Sequence, residues 1–62
     1  MKIKELRETA NLTQNQVAAQ LKVTREAVSQ WECGIRTPRA DKLPDLAKIL
    51  GCTIDELFEE EG

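Results

Sequence analysis

Residues 13–31, TQNQVAAQLKVTREAVSQW, contain two short amphipathic segments that almost touch along the chain. An α-helix brings residues three and four positions apart onto one face, so each segment has its own apolar stripe. The stripes consist of Val17, Ala18 and Leu21 in the first segment and of Ala27, Val28 and Trp31 in the second. Only Lys22 and Val23 separate them. The stretch therefore predicts two helices that pack together across a tight turn.

Two helices joined in this way are typical of a helix-turn-helix, whose second helix lies in the major groove of DNA. The face of the second segment that cannot pack carries Arg25, Glu26, Ser29 and Gln30. All four side chains offer hydrogen-bonding groups that base edges can pair with. We expect this face to read DNA sequence, and an ordinary solvated helix surface is the alternative.

The expected base contacts follow from the donors and acceptors of each side chain. Arg25 can donate two bonds to guanine O6 and N7, and Gln30 can pair with adenine N6 and N7. Glu26 can accept from cytosine N4, but an acidic residue in a first helical turn equally stabilises the helix dipole. Ser29 can contact any base. Thr24 is expected to cap the helix first, while its methyl group can touch thymine.

Phosphate contacts are expected from residues that flank this second helix. The first of the two motif helices begins beside Thr13 and Gln14, where free backbone N–H groups form an anion site and the Gln14 amide adds a donor. Arg36 and Arg39 follow the second helix, from where long cations can reach the other strand; unpaired surface charges are the alternative. Trp31 is expected in the core first, with its indole N–H as a further phosphate donor at the rim.

Three threonines mark helix starts, because each follows an apolar residue and precedes another by four positions. They are Thr13, Thr24 and Thr53. This spacing is typical of an N-cap with a hydrophobic staple, and Gln16 and Glu56 complete capping boxes for the first and last of them. The predicted helices begin near Gln14, Arg25 and Ile54.

Two further helices are predicted from apolar spacing. One covers about residues 2–10, with Ile3, Leu6 and Ala10 on one face, and ends at Asn11, which tolerates the left-handed conformation. The other covers about residues 42–50 and stops at Gly51. Its apolar face consists of Leu43, Leu46, Ala47 and Leu50. Pro44 fits only its first turn, so this helix begins no earlier than about Asp41.

Length and composition favour one all-α domain. A chain of 62 residues has room for a single small core, so residues 1–62 are read as one domain. No alternating strand pattern is present. The apolar stretches are far shorter than the roughly 20 residues of a membrane span, and no signal-peptide core follows Met1. We therefore expect a cytoplasmic protein with no membrane partner.

The residue types needed for metal binding and catalysis are scarce. The chain has no His, and Cys33 and Cys52 cannot supply the four ligands of a structural zinc. We read both as free thiols, since a disulfide, the alternative, is disfavoured in a reducing compartment. No Gly-rich phosphate loop or nucleophile elbow is present. The sequence predicts no metal site, cofactor or enzymatic activity, and no small-molecule substrate is evident.

The charge is polarised along the chain, although its net value is −2. Residues 1–42 carry eight basic and five acidic residues, a net +3, whereas residues 43–62 carry one basic and six acidic residues, a net −5. An acidic end that points away from DNA is compatible with binding, and the modest positive charge predicts weak non-specific affinity. A solvated surface explains the split equally well.

The segments LTQNQVAAQLKVTREAVSQWECG, residues 12–34, and LPDLAKILGCTIDELF, residues 43–58, flank a basic loop that contains proline. Together they closely resemble the Cro/C1-type helix-turn-helix family of phage repressors and Xre-like regulators, over about residues 2–58. The resemblance implies a compact five-helix bundle of the lambda-repressor-like type, with the motif at helices 2 and 3. It also implies a homodimer on a pseudo-palindromic operator in double-stranded DNA. One departure is Lys22, at a turn position that is often Gly; a positive φ there costs on the order of 1 kcal/mol.

Related domains also pair an Arg with a Glu at positions that match Arg7 and Glu32. We expect these residues to form a partly buried ion pair that holds the first helix against the third. A monomer reads too few base pairs for a genome, so two copies are expected, with recognition helices about 34 Å apart. The expected dimer surface lies around Ile54, Leu57 and Phe58, which also serve the core.

We read the chain as a sequence-specific DNA-binding transcriptional regulator of bacterial or phage type, with repression as its output. Its third helix, about residues 25–32, is expected to read the major groove. The main alternative is a protein-interaction module of the same fold that binds another regulator, which the net negative charge favours. An antitoxin or a restriction-modification controller would use the same DNA surface.

Overall fold

Five helices form the computed structural model of this chain, which describes residues 1–58. The helices are α1 Ile3–Thr9, α2 Gln14–Leu21, α3 Arg25–Cys33, α4 Leu43–Leu50 and α5 Ile54–Phe58. No strand occurs within residues 1–58, so the predicted all-α bundle, with the motif at α2 and α3, is confirmed. The acidic Glu59–Glu61 of the charge split lie outside the described residues.

The three predicted N-caps are confirmed by their hydrogen bonds. The hydroxyl of Thr13 accepts from the Gln16 N–H at 3.1 Å, and the Gln16 side chain accepts from the Thr13 N–H at 2.8 Å. Thr24 accepts from the Ala27 N–H at 3.1 Å. The second capping box joins Thr53 to Glu56, at 3.1 and 3.0 Å. Each threonine thus satisfies an N–H group that the first turn of a helix leaves without an acceptor.

Each of the first four helices is followed, one or two residues after its last residue, by a residue with positive φ. These residues are Asn11, Lys22, Gly34 and Gly51, with φ of 60°, 59°, 78° and 70°. At the end of α2, the Lys22 N–H donates to Ala19 and the Val23 N–H donates to Ala18, which is the Schellman arrangement. The predicted left-handed Asn11 is confirmed, and Lys22 has the positive φ considered for this turn position.

Three apolar residues each lie between the end of one helix and the start of the next. Leu12, Val23 and Cys52 each follow a left-handed residue and precede a capping threonine, and each packs partly buried against the core. We call the three tripeptides 11–13, 22–24 and 51–53 the short junctions. Since the same residue follows the end of one helix and occupies the staple position of the next, each short junction defines two helix ends within three residues.

The core lies between the five helices and has no buried polar or charged residue among residues 1–58. Its fully buried side chains are Ile3, Val17, Val28, Leu46 and Leu57. Two expectations are corrected here. Ala10 is exposed, because α1 ends at Thr9 and the chain then turns at Asn11. Leu57 is wholly inside the core, so it is unavailable to a dimer surface.

The link from α3 to α4, residues 34–42, is the longest in the described chain and has no capping threonine. It leaves α3 with the Ile35 and Arg36 N–H groups donating to the Gln30 carbonyl, at 3.0 and 3.3 Å. At its other end the Lys42 ammonium donates to the Leu21 carbonyl at 3.2 Å. We call residues 34–42 the long loop. It is held to α3 at its start and to the last residue of α2 at its end.

Pro44 stands in the first turn of α4, as expected, where its missing N–H costs nothing. That helix begins at Leu43, within the predicted limit, and stops at Gly51. None of the helices in residues 1–58 has the length and apolar character needed to cross a membrane.

Candidate nucleic-acid interface

The third helix is buried on one side and open on the other. Its inward side chains are Val28, which is fully buried, and Trp31, which is 8% exposed. On the outward side Thr24, Arg25 and Glu26 are exposed, and Ser29 and Gln30 are half-buried. The helical repeat aligns Arg25 with Ser29 and Glu26 with Gln30. The residues expected to read bases therefore lie together along one face of α3.

Two of these residues also stabilise the start of α3. The hydroxyl oxygen of Thr24 is the N-cap acceptor. Its methyl group takes no part in that bond and can still contact a base. Glu26 lies in the first turn, where its charge stabilises the helix dipole. Both readings of Glu26 that the sequence left open are compatible with its exposed position.

The start of α2 supplies the first of the expected phosphate contacts. The backbone N–H groups of Gln14 and Asn15 belong to the first turn, which has no helical acceptor for them. The Gln14 side chain, however, donates to Glu32 Oε1 at 3.0 Å. One of its two amide protons is therefore engaged inside the protein, in a contact between α2 and α3 that no local sequence pattern predicts.

Arg7 of α1 contacts the motif at both ends, through an ion pair with Glu32 at the end of α3 and a hydrogen bond to Leu12 just before α2. Arg7 Nε donates to Glu32 Oε2 at 2.7 Å, and Nη2 donates to Oε1 at 3.3 Å. Arg7 Nη1 also donates to the Leu12 carbonyl at 2.7 Å. The two side chains are only 12% and 5% exposed, so the Arg7 side chain holds α1, the first short junction and α3 together.

The protonation equilibria of this pair reflect its contacts. Burial alone would raise the pKa of Glu32, but the hydrogen bonds from Arg7 and Gln14 and the Arg7 charge outweigh it, so this pKa lies below its usual value. The hydrogen bond to Glu32 raises the pKa of Arg7 despite partial burial. Both shifts stabilise the charged forms, as expected for a carboxylate and a guanidinium in direct contact.

A cleft of about 500 Å³ opens beside α3, between that helix and the long loop. It is lined by Val23, Ala27, Trp31, Arg36, Thr37, Arg39, Asp41 and Lys42. The structure thus brings together Trp31, Arg36 and Arg39, three of the expected phosphate contacts. Sequence reasoning missed Asp41 and Lys42 as their neighbours, because no helical or strand period relates residues across an irregular loop.

Three large apolar side chains remain exposed within residues 1–58. Ile54 and Phe58, the latter 50% exposed, lie on the short α5, where a dimer surface is expected. The third, Ile35, is 71% exposed and lies in the long loop. It escaped the sequence analysis because it belongs to no apolar stripe.

The described part of the chain offers no group of three His, Cys, Asp or Glu residues that could hold a metal ion. Both cysteines are free, with Cys33 exposed and Cys52 half-buried. Burial, with a smaller effect from Glu56, raises the pKa of the Cys52 thiol. Cys52 therefore favours the neutral thiol form that suits its place against the core.

Comparison with known proteins places this architecture in a family. A family model described as helix-turn-helix matches residues 3–57. The chain is 45% identical over 60 residues to the HTH-type transcriptional activator BcrR of Enterococcus faecalis, which covers 97% of this chain and 29% of that protein. It is 37% identical over 60 residues to an uncharacterized HTH-type transcriptional regulator of Mycobacterium tuberculosis, covering 97% of this chain and 43% of that protein.

A phage protein is similar over a shorter stretch. The 26 kDa repressor protein of Escherichia phage HK022 is 48% identical over 40 residues, which cover 64% of this chain and 17% of that protein. The chain thus spans less than half the length of these curated relatives. No solved structure gave a significant match.

Proposed function

Because the chain belongs to the helix-turn-helix family, we propose that it is a sequence-specific DNA-binding transcriptional regulator whose α3 enters the major groove. The observation that carries the proposal is the two-sided character of α3. Val28 and Trp31 fix the helix to the core, and the opposite face presents a row of hydrogen-bonding side chains. A helix held in this way meets base edges without having to reorganise.

Base recognition is assigned first to Arg25 and Gln30. Arg25 is exposed at the first position of α3, and its guanidinium matches guanine O6 and N7. Gln30 matches adenine N6 and N7. Ser29 and the Thr24 methyl group add contacts beside them, and Glu26 selects cytosine or repels unsuitable sequences.

Phosphate contacts position the domain on either side of α3. The first turn of α2, at Thr13 and Gln14, offers N–H donors to one strand. Arg36 and Arg39 are exposed on the long loop and offer cations to the other. The Gln14 amide retains one proton for a phosphate while the other is bound by Glu32. Trp31, being almost buried, contributes at most its indole N–H.

A homodimer on a pseudo-palindromic operator is the second part of the proposal. Ile54 and Phe58 form an exposed apolar pair on α5, and apolar side chains of this size stabilise an interface when a second copy covers them. Recognition helices about 34 Å apart would then meet successive major grooves. Repression is the simplest output, since a bound dimer excludes other proteins from the same DNA.

Selection from a random duplex library, followed by binding assays on the enriched site, tests this proposal. Arg25→Ala should relax preference at one base pair, at a cost of about 1–3 kcal/mol on the preferred sequence. Arg39→Ala should weaken all sequences alike and reduce the salt slope by about 1. Lys48→Ala, on α4, is the matched control and should change neither quantity.

A library that yields no enriched sequence, together with binding that is insensitive to salt, would contradict the proposal. That outcome would favour the alternative of a protein-interaction module with the same fold. Sedimentation of the free chain and of its DNA complex tests the dimer separately. Phe58→Ser should shift both toward the monomer if α5 forms the interface.

A further inference from the structure

The cleft beside α3 has the composition of a small-molecule site. Its side chains divide into an apolar part, with Val23, Ala27 and Trp31, and a polar part from the long loop. Its volume of about 500 Å³ lies within the roughly 300–1,000 Å³ typical of ligand pockets. We propose that this cleft binds a small aromatic anion of nucleotide size, and that the ligand competes with DNA for the same cations.

Charge argues that the ligand is an anion. Three cationic residues, Arg36, Arg39 and Lys42, line the cleft with a single carboxylate, Asp41. Within residues 1–58 neither arginine has an ion-pair or hydrogen-bond partner for its side chain. Two guanidinium groups at one cleft can bind a phosphate or carboxylate through charge-assisted hydrogen bonds.

The remaining lining argues for an aromatic body on that anion. Trp31 is the sole tryptophan of the chain and lies beside the small side chains of Val23 and Ala27 at the cleft. Trp31 is only 8% exposed, so it contributes to an apolar wall together with its two neighbours, and a flat aromatic body buries a large area against such a wall. Asp41 adds an acceptor for an amino or hydroxyl group. A nucleoside monophosphate has all of these features and fits the volume.

The cleft has a defined shape because the long loop is held at both ends. The Gln30 carbonyl accepts two N–H groups at the start of the loop, and Lys42 donates to the Leu21 carbonyl at its end. Lys42 therefore belongs to the wall of the cleft and to the motif at the same time. A ligand can enter without first ordering the loop, which lowers the entropic cost of binding.

Competition with DNA follows from the position of the arginines, and this part of the inference rests on the proposed function. Arg36 and Arg39 are the loop cations assigned to phosphates. When a bound anion occupies them, their phosphate contacts are lost and affinity for DNA falls. The domain that binds DNA would then respond to a metabolite by itself.

NMR titration of the ¹⁵N-labelled chain tests the site without DNA. The single tryptophan gives a single indole N–H signal, which reports directly on the cleft. Adenosine 5′-monophosphate should shift this signal and the Ala27 and Thr37 amides in a saturable way. Adenosine and inorganic phosphate, each with half of the required chemistry, should bind at least about tenfold more weakly.

Two variants separate a site from general attraction of anions. Arg36→Gln combined with Arg39→Gln should reduce affinity for adenosine 5′-monophosphate by about tenfold or more, since charge-assisted bonds are lost. Both residues are exposed, so the fold should persist. Lys48→Gln, with the same kind of change on α4, should leave affinity unchanged. Equal effects of the two variants, or shifts spread over every cation, would overturn the site.

A competition assay then separates this inference from the proposed function. Adenosine 5′-monophosphate should raise the apparent Kd for a random-sequence duplex pool at low ionic strength, and adenosine should leave it unchanged. Nucleotide binding with no effect on DNA affinity would overturn the competition. If DNA binds and the nucleotide does not, the inference fails and the proposed function stands. If the nucleotide binds and DNA does not, the proposed function fails together with the competition, and the nucleotide site stands.

Discussion

The two ends of α3 are fixed in different ways. The N-terminal end depends on the short junction 22–24, where Lys22 turns the chain, Val23 packs inward and Thr24 caps. The C-terminal end has a local cap at Gly34, and it is also held by residues far away in sequence, because Glu32 is bound by Arg7 of α1 and Gln14 of α2. Local contacts thus set where α3 begins, and long-range contacts set where it points. The proposed base contacts begin at the first end, and the long loop with its cations leaves from the second.

Removing the charge of Glu32 should have the largest effect on this arrangement. Glu32→Gln leaves Arg7 without its carboxylate in a partly buried site, at a cost of up to about 3 kcal/mol in the free energy of unfolding. A small domain has little more than that in reserve. Urea unfolding in the absence of DNA measures the change. Glu26→Gln, the same substitution at the exposed first turn, should cost only about 0.3–1 kcal/mol.

The stability of Glu32→Gln should also depend on pH differently from that of the wild type. The pKa of Glu32 is lowered in the folded protein, so its contribution to stability is complete above the ordinary value of 4.5 and is lost as the pH falls through the lower folded-state value. Wild-type stability should therefore decline in acid more steeply than that of Glu32→Gln. Parallel pH profiles for the two proteins, or equal losses from Glu26→Gln and Glu32→Gln, would contradict a role for the ion pair at this end of α3.

Breaking the N-terminal end should cost less, because only one local bond is lost. Thr24→Ala removes the acceptor of the Ala27 N–H and should lower the free energy of unfolding by about 1 kcal/mol. Thr37→Ala is the matched control, since Thr37 is exposed in the long loop and caps no described helix. Urea unfolding of both variants checks the difference. A loss at Thr37 as large as at Thr24 would mean that the cap contributes nothing specific.

The smallest expected effect is an increase in the free energy of unfolding. Lys22→Gly relieves a side chain held at φ 59° and should raise the free energy of unfolding by about 0.5–1 kcal/mol. Asn11→Gly is the control, because Asn11 has nearly the same φ of 60° but tolerates the left-handed region better than Lys. Urea unfolding should therefore show a larger gain at Lys22. Equal gains would indicate that the turn of the motif carries no particular strain.

This contrast also explains how far the sequence could predict the molecule. The caps at Thr13, Thr24 and Thr53 and the turn at Asn11 were predictable because their causes lie within four residues. Ala10 was misplaced because apolar spacing does not tell how far a helix continues. Leu57 and Phe58 are adjacent, and a five-residue helix is too short for its period to show which of them is buried.

The candidate site divides in the same way. The outward row of α3 follows from helical periodicity, so Arg25 and Gln30 could be named from the sequence. The bond from Gln14 to Glu32 and the approach of Lys42 to Leu21 depend on how separate helices meet. No local pattern encodes such contacts, and the cleft that they help to shape was therefore outside the reach of sequence reasoning.

Insertions and deletions are restricted at the short junctions, because Leu12, Val23 and Cys52 each belong to the end of one helix and the start of the next. An inserted residue at any of these three positions would separate the end of one helix from the beginning of the next and rotate everything that follows. Within residues 1–58, only the long loop can accept an insertion without disturbing two helix ends together. A longer loop can therefore extend its cations toward the DNA backbone or change the shape of the cleft. The angle between the two motif helices stays constant in either case.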